Sequence, residues 1–133
     1  MAITYDSTQI SKMVFATLKN ITGISSRVYP QRIPEGKSWP AISYYVISTT
    51  PEEVKNTATS PIDLVRIQVS IFDTTQNSVN TIADLARVAM VALTGEQGTC
   101  TVDTVRLVDE RDFYEEDIQI YHKAQDYYVR IKN

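Results

Sequence analysis

Three features of this chain have side chains able to do chemistry: one histidine, one cysteine and one acidic run. Nucleophilic catalysis of the Ser–His–Asp or Cys–His kind needs a base, and His122 is the one histidine available. It falls on the polar face of a strand-like segment, where a surface histidine is the plainer reading. Cys100 follows Gly98-Thr99 at the start of another strand, with no helix N-terminus and no Cys-x-x-Cys partner to lower its pKa, so it reads as a bystander thiol. The acidic run is Asp109-Glu110-Arg111-Asp112-Phe113-Tyr114-Glu115-Glu116-Asp117. Hard cations take oxygen ligands, but the run lacks the Asp-x-Asp-x-Asp-Gly order of a calcium loop and reads as a solvated hairpin tip. Glu110 and Glu115 formally offer a general acid and a general base. A hydrolase also needs a concave site with positioned donors, for which a hairpin tip is poorly suited. The glycines at 23, 36, 95 and 98 fit neither a Gly-x-Gly-x-x-Gly nor a Walker pattern, and no Cys/His metal spacing is present. The expectation is a protein without catalysis, metal or cofactor.

Bulk properties narrow the class further. At 133 residues the chain reads as one domain, residues 1–133, large enough to bury roughly two-thirds of its unfolded surface. Its 43% hydrophobic and 22% charged content is that of a globular protein rather than a disordered tail. A formal net charge of −3 argues against a general nucleic-acid or anionic-membrane surface. A lone cysteine cannot form an internal disulfide, the first residues lack a basic stretch followed by an apolar run, and no window approaches ~20 apolar residues. These features read as a soluble protein made and kept in a reducing interior.

The elements that must position these residues follow from hydrophobic spacing. Ile10, Met13, Val14, Thr17, Leu18 and Ile21 repeat at helical intervals, predicting a helix over 7–22 with Asp6 or Ser7 as N-cap and Gly23 just past the end. Three of the five prolines, Pro30, Pro34 and Pro40, then fall within eleven residues. Proline fixes φ and cannot donate to a ladder, so 27–40 reads as an ordered crossing segment, with Val28-Tyr29 a short edge strand. A strand over 41–48, apolar on both faces, belongs inside the sheet. Residues 49–61 form a polar loop that is long for a hairpin connection. The 62–73 segment alternates cleanly, Val65, Ile67, Val69 and Ile71 against Arg66, Gln68 and Ser70, as a half-buried antiparallel strand does. A second helix over 77–94 carries Val79, Ile82, Ala83, Ala86, Met90 and Leu93, with Leu85, Val88 and Ala92 widening the stripe and Gly95 after it. Strands at 102–108 and 118–131 close the chain. The fold class is α+β, an antiparallel β-sheet of about four to five strands with two main helices packed on one face.

This order of elements resembles the tail-completion family of long-tailed bacteriophages, related in fold to the tail terminators that cap the tail tube. The resemblance is carried by the helix at 7–22, Val28-Tyr29, Ile33-Pro34-Glu35-Gly36, Trp39-Pro40-Ala41-Ile42, the Arg66-Ile67-Gln68-Val69-Ser70-Ile71-Phe72 strand with its following helix, and the closing Asp126-Tyr127-Tyr128-Val129-Arg130-Ile131. It implies a structural protein of the virion tail, assembled in the bacterial host cytoplasm. It also implies a hexameric ring at the head-proximal end, monomeric or weakly associated when free, with the tail-tube protein and the head connector as partners. Polarity and length point to two interface loops, Pro51, Glu52, Glu53, Val54, Lys55 and Asn56 in one, and Arg111, Asp112, Phe113, Tyr114 and Glu115 in the other. Lys12, Lys19, Arg27, Arg32 and Lys37 gather toward the N-terminal third while acids dominate from 103 to 126, an asymmetry that suits head-to-tail contact. A head–tail connector, a tube subunit and, from another class, a small-ligand-binding regulatory domain stay open as alternatives.

Overall fold

The computed structural model describes residues 7–36, 38–51, 62–97 and 100–132. In chain order the elements are α1 (Ser7–Leu18), β1 (Val28–Pro30), β2 (Ala41–Pro51), β3 (Ile62–Asp73), α2 (Gln76–Val91), β4 (Gly95–Gln97), β5 (Cys100–Glu115) and β6 (Ile120–Lys132). The strands form one curled six-stranded sheet in the order β1-β2-β3-β6-β5-β4. It is mixed rather than purely antiparallel, because β1 runs parallel to β2. The sheet is also wider than the four to five strands expected. The expected edge strand at Val28-Tyr29 is present as β1, and the addition is a second three-residue edge strand, β4, too short for a periodicity to register.

β3 occupies the predicted span and lies inside the sheet between β2 and β6. Val65, Ile67, Val69 and Ile71 are fully buried on one face. Register places Tyr44, Val69 and Gln125 side by side on that face. The Tyr44 hydroxyl meets Ser11 of α1 at 2.9 Å, and the Gln125 amide donates to the Ala83 carbonyl of α2 at 2.9 Å. Both helices therefore cover the same face of the sheet, as expected.

α1 buries Ile10, Met13, Val14 and Leu18. It ends at Leu18, four residues short of the predicted span, and Gly23 is not its cap. From there the amides of Ile21, Ile24 and Arg27 donate to the carbonyls of Leu18, Ile21 and Ile24, a run of three-residue turns. A three-residue repeat keeps Ile21 and Ile24 on the core side after the helix has stopped. Arg27 then pins the crossing segment: its Nε donates to Pro40 O at 2.7 Å and its carbonyl accepts from Ile42 N at 2.9 Å. The Trp39–Pro40 bond is cis.

α2 starts at an N-cap, Thr75, whose side chain accepts from Ser78 N at 3.2 Å. Asp73 supports this corner by accepting from Thr74 N at 2.7 Å and from the Ser78 hydroxyl. Val79, Ile82, Ala83, Ala86, Met90 and Leu93 are buried, as the spacing predicts. The wider stripe is not: Val88 is 71% exposed, and Leu85 and Ala92 also face outward. The helix ends at Val91 with Ala92 as C-cap, and Gly95 (φ +87°) opens β4 instead of closing α2.

The largest departure is β5. The segment read as a hairpin tip is strand through Glu115, paired with β6 in unbroken register from Asp109↔Asp126 to Glu115↔Ile120. The turn is confined to 116–119, with Gln119 at φ 55°. The reading failed because the register shifts between Leu107 and Asp109. A bulge reverses which face each later side chain points to, so the alternation seen at Val105 and Leu107 does not continue.

Candidate functional site

The candidate chemical groups do not converge. Consecutive pairing puts Glu110 opposite Gln125 and Glu115 opposite Ile120, five positions apart along β5, so the two carboxylates project from opposite faces. Cys100 is fully buried. Among the described residues no group of three or more His, Cys, Asp or Glu is arranged to hold a metal ion. His122 is far less exposed than a surface histidine: its ring stacks on Phe72 at 4.1 Å and lies 5.3 Å from Phe113. Both ring nitrogens lack a hydrogen-bond partner, the nearest carboxylate being Glu115 at 3.7 Å. Burial lowers its pKa below the usual histidine value, with Glu115 opposing and Arg111 adding to the shift.

The face away from the helices carries a polar cluster centred on Asp126, which sits at 2% side-chain exposure. It accepts from Arg66 Nη2 at 2.7 Å and from Gln68 Nε2 at 3.0 Å, with Arg111 Nη1 at 3.4 Å. Arg111 also pairs with Asp109. Burial works against the Asp126 charge; the hydrogen bonds from Arg66 and Gln68 and the charges of Arg111 and Arg66 outweigh it, holding the carboxyl below the usual range. The Arg66 and Arg106 guanidinium groups approach the Tyr128 ring at 5.9 and 5.2 Å. This cluster joins β3, β6 and β5 and escaped sequence reasoning. Its one signal was an acid, Asp126, on the polar side of the closing strand, where it faces the polar side of β3.

Beyond the core, exposed apolar side chains lie on the outer face of α2, at Leu85, Val88 and Val91, and at the sheet margins. Val46 and Ile47 on β2, Val108, Phe113 and Tyr114 on β5, and Ile118 in the turn are each at least one-third exposed. β1 pairs only with Ile42, Ser43 and Tyr44 of β2, and β4 only with Cys100, Thr101 and Val102 of β5. Past those points no described strand pairs with the outer edge of either long strand. Beside the free stretch of β2 lies a pocket of about 130 Å³. Ile10, Val14, Tyr44 and Ile67 are its buried walls, and Pro30, Gln31 and Val46 form its exposed rim. It is smaller than the roughly 300–1,000 Å³ typical of small-ligand sites.

Among the described residues the arrangement brings together no metal-binding group, and the exposed apolar side chains are its other notable surface feature. The family described as "Tail completion protein gp17" matches residues 13–132. The chain belongs to the tail completion protein gp17 family. A chain of the "Virion of native gene transfer agent (GTA) particle" shares the fold at a TM-score of 0.69 and 10% identity, over 90% of this chain and 92% of that one. No curated protein matches the chain in sequence. This tail completion protein is thus a structural protein of phage tails.

The residues expected to form two interface loops are placed as follows. Pro51 is the last residue of β2, and Glu52, Glu53, Val54, Lys55 and Asn56 lie outside the described residues. Arg111, Asp112, Phe113, Tyr114 and Glu115 are on strand β5 rather than in a loop. Arg111 joins the Asp126 cluster, and Asp112 lies 3.5 Å from Lys123, while Phe113 and Tyr114 stay 45% and 48% exposed.

Proposed function

We propose that this tail completion protein caps the head-proximal end of the tail tube as a homo-oligomeric ring, six copies being the expected number, and joins the tail to the head connector without catalysis. Membership in the gp17 family is the observation that carries the reading. The exposed apolar side chains at both margins of the sheet support it, since a free monomer gains nothing from Val46, Ile47, Phe113 and Tyr114 in water. The tail-tube protein and the head connector are its partners in this reading, and the 51–56 and 111–115 segments contribute to the contacts. A specific interface of this kind should bury more than about 1,000 Å².

The test is absolute mass by light scattering over a concentration series, with negative-stain images of the same fractions and of purified tails mixed with the protein. Annular particles near six times 15.0 kDa, or rings recruited to one tail end, support the proposal. Open filaments point to a tube subunit instead. A strict monomer that tails do not recruit refutes the ring.

A further inference from the structure

Among the described residues, the two long strands with free outer edges sit on opposite sides of the sheet and are free over complementary stretches. β1 covers the beginning of β2, leaving 45–51 open; β4 covers the beginning of β5, leaving 103–115 open. In the order β2-β3-β6-β5 each neighbour is antiparallel to the last, so β2 and β5 themselves run in opposite directions. Copies related by a ring axis keep that relation, so β5 of one copy beside β2 of the next gives an antiparallel pair. Antiparallel addition to an exposed edge satisfies backbone groups that otherwise face solvent.

Charge agrees with this geometry. Residues 7–32, which form α1 and β1 on the β2 side, include Lys12, Lys19, Arg27 and Arg32 and no acid. The free part of β5 carries Asp103, Asp109, Glu110, Asp112 and Glu115 against Arg106 and Arg111. The β2 stretch, Tyr-Val-Ile-Ser-Thr-Thr-Pro, is uncharged, so the acids of β5 meet no like charge on the strand they pair with.

Shape supplies a third argument. Because β1 stops at Pro30, the space it would fill alongside β2 is left as the 130 Å³ pocket with Val46 on its rim. A void of about 150 Å³ accepts one benzene ring. The register Tyr114↔Tyr121 and Tyr121↔Asp73 places Tyr114 on the helix-covered face, the face of Val46 and its partner Ile67. When β5 is docked with its turn end against the end of β1, Tyr114 comes beside Val46 at the pocket mouth.

We infer that the occupant of the β2 edge is a second copy of this chain: residues 109–115 of β5 from one copy pair antiparallel with residues 45–51 of the next, and the neighbour's Tyr114 ring seats in the pocket between α1 and β2. The inference rests on the ring proposed above and names the surface that closes it. It makes the contact heterologous, so each copy donates one edge and receives another.

The experiment is a double-cysteine variant, Val46→Cys with Tyr114→Cys, leaving the buried Cys100 in place. Within one copy two strands separate β2 from β5, about 14 Å at ~4.8 Å per spacing, beyond disulfide reach, so any cross-link joins copies. Mild oxidation at high protein concentration, and on purified tails, should give a ladder of covalent oligomers ending in a closed species, while each single-cysteine variant stops at a dimer. If light scattering shows a ring but the double variant yields no ladder, the edge pairing is wrong and the ring stands. If neither a ring nor a ladder forms, the ring reading falls with it. Circular dichroism of each variant confirms that the fold is intact before oxidation.

Discussion

Replacing Tyr127 with phenylalanine isolates one buried hydrogen bond within β6, the one that holds the side chain joining β6 to α2. Tyr127 and Gln125 are both fully buried, and the phenol donates to Gln125 Oε1 at 2.7 Å. The Gln125 amide in turn donates to Ala83 O at 2.9 Å and to Glu110 Oε2 at 2.8 Å, so helix, β6 and β5 meet at one side chain. Burial holds the phenol above its ordinary pKa, so the donor persists through neutral pH. Phenylalanine keeps the ring and its packing but leaves Oε1 without this donor, a cost of about 1–3 kcal/mol. At roughly 2.1 cal/mol/K of unfolding entropy per residue, each kcal/mol moves Tm of a chain this size by about 3–4 °C. Tyr127→Phe should therefore lower Tm by about 4–10 °C with an unchanged urea m-value. Adding Gln125→Met removes the stranded acceptor, so the double variant should lose less than the sum of the two singles. A Tyr127→Phe change within about 0.3 kcal/mol of the parent, or strict additivity in the pair, would refute the reasoning.

Three further outcomes follow from the described contacts. Asp126 keeps its charge in the folded chain below the ordinary value of 3.8, so its contribution is present above about pH 4 and drains as pH falls through the lower folded-state value; Asp126→Asn should remove that part of the acid limb in urea titrations. His122 is disfavoured as a cation in the fold, so stability should be full above its ordinary value of 6.5 and decline as pH falls from there through its lower folded-state value, and His122→Phe should flatten that segment of the profile. Thr75→Ala removes the N-cap of α2 and should cost about 0.5–2 kcal/mol, read by thermal melts, whereas Thr75→Ser should restore most of it.

Much of the architecture was legible because one face of the sheet is apolar and the other polar. β3 was readable to the residue, since Val65 through Ile71 alternate without interruption. The buried stripe of α2 was readable for the same reason on a 3.6-residue period. Leu85 and Val88 misled because an exposed apolar residue and a buried one look alike in composition. The parallel pairing of β1 depends on Arg27 and Pro40 meeting across the crossing segment, a contact no local pattern encodes. Beyond Leu107 the bulge reverses side-chain parity and the exposed arm of β5 is free to be charged, so strand geometry was hidden behind turn-like composition. The Asp126 cluster draws on three strands distant in sequence and becomes visible only once they are aligned.

The register breaks in this sheet have a consequence for solubility. They fall between Val46 and Ser48 on β2, and on β5 between Val102 and Thr104 and between Leu107 and Asp109, each on a strand with an open margin. Fibril growth by cross-β stacking requires flat strands in uniform register, and an extra residue bends and over-twists a strand. Pro51, with no N–H to offer, ends the stretch of β2 that can pair. In the ring proposed above these irregular joints would keep the two pairing borders from seeding cross-β stacking, and straightening one by deletion of Ile47 or Val108 should be felt first as precipitation.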